Sequence, residues 1–477
     1  MSEFTDFLVK VDDLVWGIPL IVLILAAGIY LTFRLRLLQI VHLPKALKYM
    51  FKNEEDGHGE VSSFGALCTA LSATIGTGNI VGVATAIGCT ALGTAVGGPG
   101  ALFWMWVAAF FGMATKYSEG FLAVKYRIVD KKNHSLGGPF YYIELGMGEK
   151  FKWLAKIFAF FGVCVGLFGI GTFSQVNGIS SAIQNFFDPD KVHTVSIPGI
   201  GTYSWTVVIA SLILAFCVGA VLIGGIKRIA SVSQIIVPFM AIIYFVFALT
   251  LVVCNITKIP EAVVIIVKAA FNPQAVAGGI TGSMLVAMQK GVARGIFSNE
   301  AGLGSAPIAA AAAQTHEPVR QGLVSMTGTF IDTIVICTMT GLSIVLTGAW
   351  KVDGLEGVQV TTYAFKNGLP FPAELSAFIL MLCLVFFAFT TILGWDYYSE
   401  RCLEYLTGGN MKKVKVFRWI YILAVFIGPY MTVSAVWVIA DIFNGLMALP
   451  NMIALFALSG VVAKETREFF KANKHLE

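Results

Sequence analysis

Several long stretches of this sequence contain no charged residue, and this feature limits the possible folds more than any other. Residues 14–33, 157–187, 203–226 and 229–257 are each charge-free and mostly apolar. About 20 apolar residues are enough to cross the hydrocarbon core of a bilayer as an α-helix. Only helices or closed barrels satisfy their backbone polar groups there, and continuous rather than alternating apolar runs favour helices. The chain is therefore predicted to be an all-α integral membrane protein.

The overall composition agrees with this class and argues against others. Charged residues make up 13% of the chain, whereas a soluble domain usually has about a quarter. We attribute the net charge of +5 to loops that orient the protein in the membrane, and we predict no nucleic-acid partner and no protein partner. The eight cysteines form no CxxC pair, so they are interpreted as small buried hydrophobic residues rather than as disulfides or metal ligands.

The distribution of apolar residues predicts eleven transmembrane helices. They are placed near residues 13–33, 62–92, 98–124, 153–187, 203–225, 229–256, 275–314, 321–349, 372–399, 415–439 and 444–464. The first is interpreted as a retained helix rather than a cleaved signal peptide, because no small-residue cleavage site follows it. The basic segment 40–53 is either an amphipathic helix on the inner membrane surface or a plain solvated loop.

Positive charges indicate the orientation of these helices. Lys and Arg collect in alternate loops on one side of the predicted membrane, which is typical of the cytoplasmic face. We therefore expect a multi-pass protein of the cell membrane, in contact with the lipid bilayer, whose N-terminus lies outside and whose C-terminus lies in the cytoplasm.

The second and the seventh predicted helices contain residues that disfavour a helix at their centres. One carries SATIGTGN (72–79) and the other carries FSNEAGLGSAP (297–307). Gly, Asn and Pro destabilise a helix interior, and irregular backbone survives at membrane depth only where it faces protein or a water-filled cavity. The two segments occupy corresponding places in two five-helix halves, a pattern that indicates the central site of a transporter. Glycines that merely allow close helix packing are the alternative.

Five sequence motifs resemble those of the alanine/glycine:cation symporter family of the amino acid-polyamine-organocation superfamily. They are GGPGALFWMWVAAFFG (97–112), GTGNIVGVATAI (76–87), SLGGPFYYIELGMG (135–148), GIFSNEAGLGSAPIAAAA (295–312) and LGWDYYSERC (393–402). The resemblance covers nearly the whole chain. It implies the leucine-transporter fold, in which two inverted five-helix repeats form the core. Residues 1–60 would then hold an extra transmembrane helix and a linker, residues 61–257 and 258–464 the two repeats, and residues 465–477 a cytoplasmic tail.

An amino acid bound at the two breaks would find partners there for both of its charges. A helix broken in mid-membrane exposes free amides that suit a carboxylate and free carbonyls that suit an ammonium. The candidate amides are those of Gly76, Thr77 and Gly78, and the candidate carbonyls lie near Ala73 and Phe297. The resemblance places Gln175 in the same pocket, and Trp395 is expected either to cap it or to lie in an interfacial belt. The further substrate-site candidates are Thr74, Asn79, Phe173, Asn299 and Gly302.

A sodium ion is the expected coupling ion. The adjacent hydroxyls of Thr390 and Thr391 suit a hard monovalent cation, and the resemblance places a sodium site there, completed by the carbonyls of Phe387, Ser72 and Ile75. Hydroxyls that bond back to carbonyls one turn earlier are the alternative. A second cation near Asn79 and Thr74 is also considered. Six intramembrane charges, which sequence cannot pair, are gating or structural candidates: Lys290, Arg294, Glu300, Asp332, Asp396 and Asp441.

The sequence thus predicts a symporter that imports alanine or glycine, with D-alanine also considered, coupled to Na+ by alternating access. A proton-coupled amino-acid transporter is the first alternative, and a channel or a membrane-embedded substrate sensor is less favoured. An enzyme is not expected, because all six histidines fall in predicted loops or tails and the sequence contains neither an HExxH motif nor a P-loop.

Overall fold

The computed structural model describes residues 2–52, 59–88, 97–130, 134–197, 201–271, 284–430 and 433–473, and these are mostly helical. The α-helices, numbered α1 to α21 in chain order, are Ser2–Val15, Ile18–Arg34, Leu38–Val41, Leu43–Met50, Ser63–Thr74, Val83–Ile87, Gly100–Lys125, Pro139–Tyr141, Lys152–Phe168, Phe173–Phe187, Trp205–Leu222, Gly225–Cys254, Ile259–Phe271, Met284–Asn299, Ala306–Ala310, Pro318–Thr329, Thr338–Thr347, Val358–Gly368, Ala373–Leu406, Met411–Ile427 and Val433–Ala472.

Shorter irregular elements join or interrupt these helices. The π-helices are Gly78–Gly82, Tyr142–Gly146 and Phe330–Cys337, and the 3-10 helices are Glu149–Phe151, Ile256–Lys258, Ala349–Lys351 and Gly428–Tyr430. Two antiparallel hairpins lie in loops: β1 (Ile128–Val129) pairs with β2 (Ser135–Leu136), and β3 (Thr194–Ile197) pairs with β4 (Gly201–Ser204).

The membrane class predicted from the charge-free runs is supported by the length and composition of the helices. Within the described ranges, six helices are long and apolar enough to span a bilayer, and a bent pair makes a seventh candidate. Large apolar side chains on α11 and α12, such as Phe216 and Ile235, are strongly exposed, as expected of surfaces that face lipid. The count of eleven spans remains a prediction, since several predicted spans are shorter or interrupted here.

Two predicted helix boundaries are wrong in the last third of the molecule. The apolar pattern predicts one helix over 415–439 and the next over 444–464, whereas α20 ends at Ile427 and α21 runs for 40 residues from Val433. Pro429 lies in the 3-10 turn between them, and a proline cannot continue a helical hydrogen-bond ladder. The polar residue Asp441 lies inside α21 rather than in a loop and forms an ion pair with Arg294 at 3.6 Å.

Other differences concern interruptions and additional helices. The predicted helix 153–187 is divided into α9 and α10 by an irregular segment at 169–172, and the predicted helix 275–314 is described only from Met284 and is interrupted after Asn299. Among the described residues, the helices α1, α13 and α18, of 14, 13 and 11 residues, were not predicted. They lie outside the long apolar runs and are too short or too polar to be recognised as spans.

The core is formed where interrupted and continuous helices pack together. α7 contacts α14 and α16, α12 contacts α5 and α19, and α9 contacts α19 and α21. The largest side chains buried in these contacts are aromatic and include Trp395, Tyr117, Tyr244 and Phe387. The long helix α19 therefore lies beside the first interrupted helix, α5, and this contact positions the candidate site.

Candidate functional site

The helix that begins at Ser63 is broken where the sequence predicts a break. α5 ends at Thr74, helical geometry resumes as a π-helix at Gly78, and the two halves are bent by 51°. We call Ile75–Thr77 the first break. A side chain at Gly76 would collide with the hydroxyl of Thr391, so the glycine lets α19 approach the backbone closely.

Two of the three predicted substrate-binding amides already have side-chain partners. The Gly76 amide donates to Asn79 Oδ1 at 2.9 Å, and the Thr77 amide donates to Gln175 Oε1 at 3.1 Å. The structure thus brings Gln175 to the first break. A carboxylate that bound these amides would take the place of two neutral amide oxygens, which are weaker acceptors than an ionised oxygen.

The second interrupted helix is also broken where the sequence predicts it. α14 ends at Asn299 and α15 begins at Ala306, and we call residues 300–305 the second break. Glu300, Gly302 and Gly304 have φ values of 56°, 94° and 82°, which glycine adopts easily and glutamate does not. The Glu300 carboxylate is held by the Trp395 indole N–H at 2.9 Å and by the Ser305 hydroxyl.

Two charged side chains of α7 satisfy backbone groups at the second break. Lys116 Nζ donates to the carbonyl of Asn299 at 2.7 Å, and Glu119 Oε1 accepts from the amides of Gly302 at 3.1 Å and Gly304 at 3.2 Å. Both charged side chains are fully buried. Three of the orphan groups that a broken helix leaves are therefore satisfied by side chains of a neighbouring helix.

Asp332 joins the two broken helices. Its Oδ1 accepts from Asn79 Nδ2 at 2.7 Å, and its Oδ2 accepts from the hydroxyls of Ser298 at 2.9 Å and Thr333 at 2.7 Å. The predicted site residue Asn299 also bonds to Thr333, at 2.9 Å. The sequence marked Asp332 as an intramembrane charge but left it without a partner, because its contacts come from distant segments of the chain.

A cavity of about 550 Å³ reaches both broken helices, and we call it the main cavity. Thr77 and Gly78 line it from one helix and Phe297 from the other, and all three were predicted site residues. The Arg294 guanidinium lies 5.3 Å from the Phe297 ring centroid and 3.6 Å from an Asp441 carboxylate oxygen. The other walls of the main cavity include Thr85, Asn177, Ser181, Asn185, Glu356 and Gln359.

The structure does not bring every predicted substrate residue to this cavity. Trp395 is fully buried and contacts the second break. A side chain at Gly302 would meet Met452 and Ile24, away from the cavity, and Phe173 packs near Gly428.

Two further candidates on α5 also lie away from the cavity walls. Ala73 packs against Gly394. Thr74 bonds back to the Leu71 carbonyl at 3.3 Å and lines a small separate void beside Lys116, so the structure does not bring it to Asn79.

Oxygen atoms converge where α19 meets the first break. Thr391 Oγ1 lies 3.3 Å from the Ile75 carbonyl and 3.0 Å from the Phe387 carbonyl. Thr390 Oγ1 lies 3.0 Å from the same Phe387 oxygen. The Ser72 hydroxyl bonds to the Thr69 carbonyl of its own helix at 2.7 Å, and the Ser72 carbonyl stays a predicted ligand. A donor set made of hydroxyl and carbonyl oxygens fits a hard cation such as Na+. Thr390 and Thr391 both bond back to the Phe387 carbonyl of their own helix, as the alternative predicted. Thr391 in addition contacts the Ile75 carbonyl at the first break.

A separate cluster of charges links the start of α5 to the end of α19. Arg401 lies 3.2 Å from Glu60 and 2.7 Å from Glu404, and His134 lies 3.3 Å from Glu60 and 3.0 Å from Glu404. We call these four residues the ion-pair cluster. A cavity of about 270 Å³ adjoins it.

Two members of this cluster lie outside the membrane-spanning segments and have shifted pKa values. Hydrogen bonds to Glu404 and Glu60 raise the pKa of His134 to about 9. Burial alone would raise the pKa of Glu60, but His134 and Arg401 together lower it. Near neutral pH, His134 is therefore positively charged and Glu60 is negatively charged.

The chain as a whole matches one protein family. The model of the sodium:alanine symporter family matches residues 1–477.

Curated relatives match over nearly their full lengths. An uncharacterized transporter of Haemophilus influenzae is 54% identical over 470 residues, which cover 98% of this chain and 97% of the relative. The sodium/alanine symporter AgcS of Methanococcus maripaludis is 45% identical over 480 residues, 99% of each chain. The probable sodium/glutamine symporter GlnT of Bacillus subtilis is 38% identical over 478 residues, 99% of this chain and 92% of the relative.

Proposed function

The chain belongs to the sodium:alanine symporter family, and on this premise we propose that it imports alanine or glycine, with D-alanine as a further candidate, together with Na+ by alternating access. Its family and relatives are transporters, so it is a transporter and not an enzyme. The observation that carries the proposal is that one cavity reaches both broken helices, at Thr77, Gly78 and Phe297.

We further propose the leucine-transporter architecture for this chain. Its eleven spans would comprise α2 as the extra helix and two inverted five-helix repeats over residues 61–257 and 258–464, before a tail over 465–477. The support is that each interrupted helix, α5–α6 and α14–α15, would be the first transmembrane helix of its repeat, with the 13-residue helix α13 preceding α14. The protein would lie in the cell membrane, with its N-terminus outside and its C-terminus in the cytoplasm, as the loop charges indicate.

The two breaks supply the chemistry that a zwitterionic amino acid requires. The substrate carboxylate would bind the amides of Gly76, Thr77 and Gly78, where unpaired N–H groups and the helix dipole favour an anion. The substrate ammonium would bind backbone carbonyls near Ala73 and Phe297. The Ala73 side chain packs against Gly394, so the proposal uses only the backbone carbonyls at this end of α5. Gln175 and Asn79, which accept from these amides in the structure, would turn toward the ligand when the carboxylate arrives.

Sodium would bind where Thr391 contacts the first break. The ion would join the Thr391 hydroxyl to the carbonyls of Ile75 and Phe387, so its binding would fix α19 against α5 and complete the amino-acid pocket. One positive charge that enters gains about 2.3 kcal/mol per 100 mV, and a tenfold sodium gradient adds about 1.4 kcal/mol. Together these sustain an accumulation of several hundredfold for each ion transported.

A larger neutral amino acid is the second candidate substrate. The relative named a probable sodium/glutamine symporter is 38% identical to this chain, and the main cavity, at about 550 Å³, has room for a longer side chain than a methyl group.

The test is uptake of labelled alanine into liposomes that contain the purified protein. We expect uptake to require an inward sodium gradient and to rise when the interior is made negative, because charge enters with the substrate. Uptake that followed a proton gradient and ignored sodium would overturn the coupling. Competition by unlabelled glycine, D-alanine and glutamine would identify the substrate, and competition by glutamine alone would overturn the preference for a small amino acid.

A further inference from the structure

A groove with a basic rim lies between α2 and α21, remote from both helix breaks. Its volume is about 690 Å³. Its lining residues are Tyr30, Phe33, Arg34, Gly460, Ala463, Lys464, Arg467, Glu468 and Lys471. Four of these side chains are cationic and one is anionic, so the groove favours an anion. Because both helices are apolar over most of their length, the groove lies where an apolar surface ends and a charged one begins.

One face of α21 changes from apolar to basic along its length. Residues three or four apart lie on the same face of a helix, and two such sets follow each other here. The exposed apolar set is Leu449, Ile453 and Phe456. The exposed basic set is Lys464, Arg467 and Lys471. Gly460 separates the two sets and has no side chain to block the passage between them. This face matches a molecule with an apolar part and an anionic part at its end.

The end of α2 forms the opposite wall and shows the same transition. Phe33 is 70% exposed, and the Tyr30 ring lies 5.7 Å from the Phe456 ring across the groove. Arg34, the last residue of α2, places its guanidinium 5.4 Å from the centroid of the Tyr30 ring. A Cβ at Gly460 would lie 3.4 Å from the Arg34 guanidinium, so the glycine gives this charge space. Aromatic rings followed by basic residues are typical of the membrane interface.

We propose that this groove binds one anionic phospholipid. Arg34, Lys464, Arg467 and Lys471 would hold the headgroup phosphate, and the acyl chains would lie over the paired rings of Tyr30 and Phe456. Basic pockets between transmembrane helices on the cytoplasmic side bind anionic headgroups in this way. A zwitterionic lipid has no net charge to match the four cations, and a free phosphate has no apolar part to cover the rings.

The neighbouring segment adds positive charge beside the groove. The His42 ring stacks on Phe470 at 3.9 Å, and Lys45 Nζ lies 5.1 Å from the centroid of the same ring. The basic segment that precedes the first interrupted helix therefore packs against the end of α21. A lipid in the groove would therefore join the end of α2 to the end of α21.

The test measures lipid retention by the full-length protein with native mass spectrometry. Three arms would use phosphatidylglycerol, phosphatidylcholine and inorganic phosphate. The variant K464Q/R467Q/K471Q removes three exposed charges from the groove, and K412Q/K413Q/K415Q removes three exposed lysines from α20 as a matched control. Since each basic residue near a membrane surface contributes about fivefold to the binding of an anionic lipid, we expect the groove variant to bind phosphatidylglycerol on the order of 100-fold more weakly, and the control variant to bind like the unmodified protein.

Four outcomes would overturn the proposal. They are equal phosphatidylglycerol retention by the groove variant, equal retention of phosphatidylcholine, displacement of the lipid by inorganic phosphate, and loss of a dimer signal instead of a lipid in the groove variant. If the triple variant does not fold, R467Q alone is expected to weaken phosphatidylglycerol binding about fivefold, and unchanged binding would contradict the proposal.

Discussion

Thr391 is the residue on which the proposed ion coupling depends most directly. Its hydroxyl lies between the carbonyls of Ile75 and Phe387, and Thr391→Ala would remove one oxygen ligand of the ion. A polar contact to a charged group contributes about 1.5 kcal/mol or more of binding free energy. We therefore expect the sodium concentration for half-maximal uptake to rise at least about tenfold. The measurement is alanine uptake as a function of sodium concentration.

A matched threonine separates this effect from a general loss of stability. Thr250 makes its hydrogen bond to the Val246 carbonyl of its own helix, at 2.8 Å, and this bond is exposed. Thr250→Ala should leave the sodium dependence unchanged. An unchanged dependence in Thr391→Ala as well would place the ion elsewhere.

For individual residues, the sequence predicted well which residue types form the site, and it predicted poorly where their side chains point. Thr77, Gly78 and Phe297 line the main cavity as expected, because the breaks that expose them are visible as runs of Gly, Ser and Asn. Trp395 was expected at a pocket or an interface, yet its indole donates to Glu300 at the second break. The direction in which a side chain leaves a helix depends on which neighbours pack against it, and those neighbours are remote in sequence.

Among the elements, the second break is the most dependent on support from its neighbours. Glu300 has a left-handed φ of 56°, a conformation that costs free energy in a non-glycine residue. The carboxylate of Glu119 accepts from two amides of this segment and from Asn451 Nδ2 at 2.7 Å. α7 and α21 thus hold the segment in an otherwise unfavourable shape.

Removing the buried carboxylate should destabilise the protein. In Glu119→Ala the amides of Gly302 and Gly304 lose their acceptor inside the molecule, and unsatisfied buried donors cost about 1–3 kcal/mol. We expect the free energy of unfolding to fall by about 2–3 kcal/mol, measured by thermal or denaturant unfolding in detergent. Glu465→Ala is the control, because it removes only a partly exposed ion pair with Lys125 that is worth about 1 kcal/mol or less. Equal effects of the two changes would contradict the role given to Glu119.

Helix breaks were easier to predict from the sequence than helix ends. Gly, Asn and Pro at the centre of an apolar run identify a break locally, so both breaks were found. The end of α20 was placed too late, because the charge-free run continues past Pro429 to Ala440. Asp441 lies within α21, where Arg294 from another part of the chain pairs with it.

For the molecule as a whole, the ion-pair cluster ties three distant segments together. Glu60 precedes α5, His134 belongs to the turn between β1 and β2, and Arg401 and Glu404 lie near the end of α19. Arg401 lies 2.7 Å from a ring nitrogen of His134 and opposes its charge, but the carboxylates of Glu404 and Glu60 outweigh it and raise the pKa of His134. The ion-pair cluster therefore stabilises the fold most when His134 is protonated.

Stability should therefore fall as the pH becomes alkaline. The pKa of His134 is raised to about 9, from about 6.5 in an unfolded chain, so its contribution is complete below about 6.5 and is lost as pH rises through 9. We expect the unfolding temperature to decrease across this window in the unmodified protein and to decrease less in His134→Gln. His193→Gln, at an exposed position immediately before β3, is the control, and a pH profile that His134→Gln left unaltered would contradict the assignment.

The unbroken length of α21 has a mechanical consequence. Its 40 residues extend about 60 Å at 1.5 Å per residue, twice the roughly 30 Å thickness of the hydrocarbon core. A rod of this length acts as a lever, because a tilt of about 10° at one end displaces the other by about 10 Å. A spectroscopic label at the exposed residue Ala472 would therefore report rocking within the membrane as a large displacement at its tip, and Pro450, inside the helix, is a point where the lever would flex.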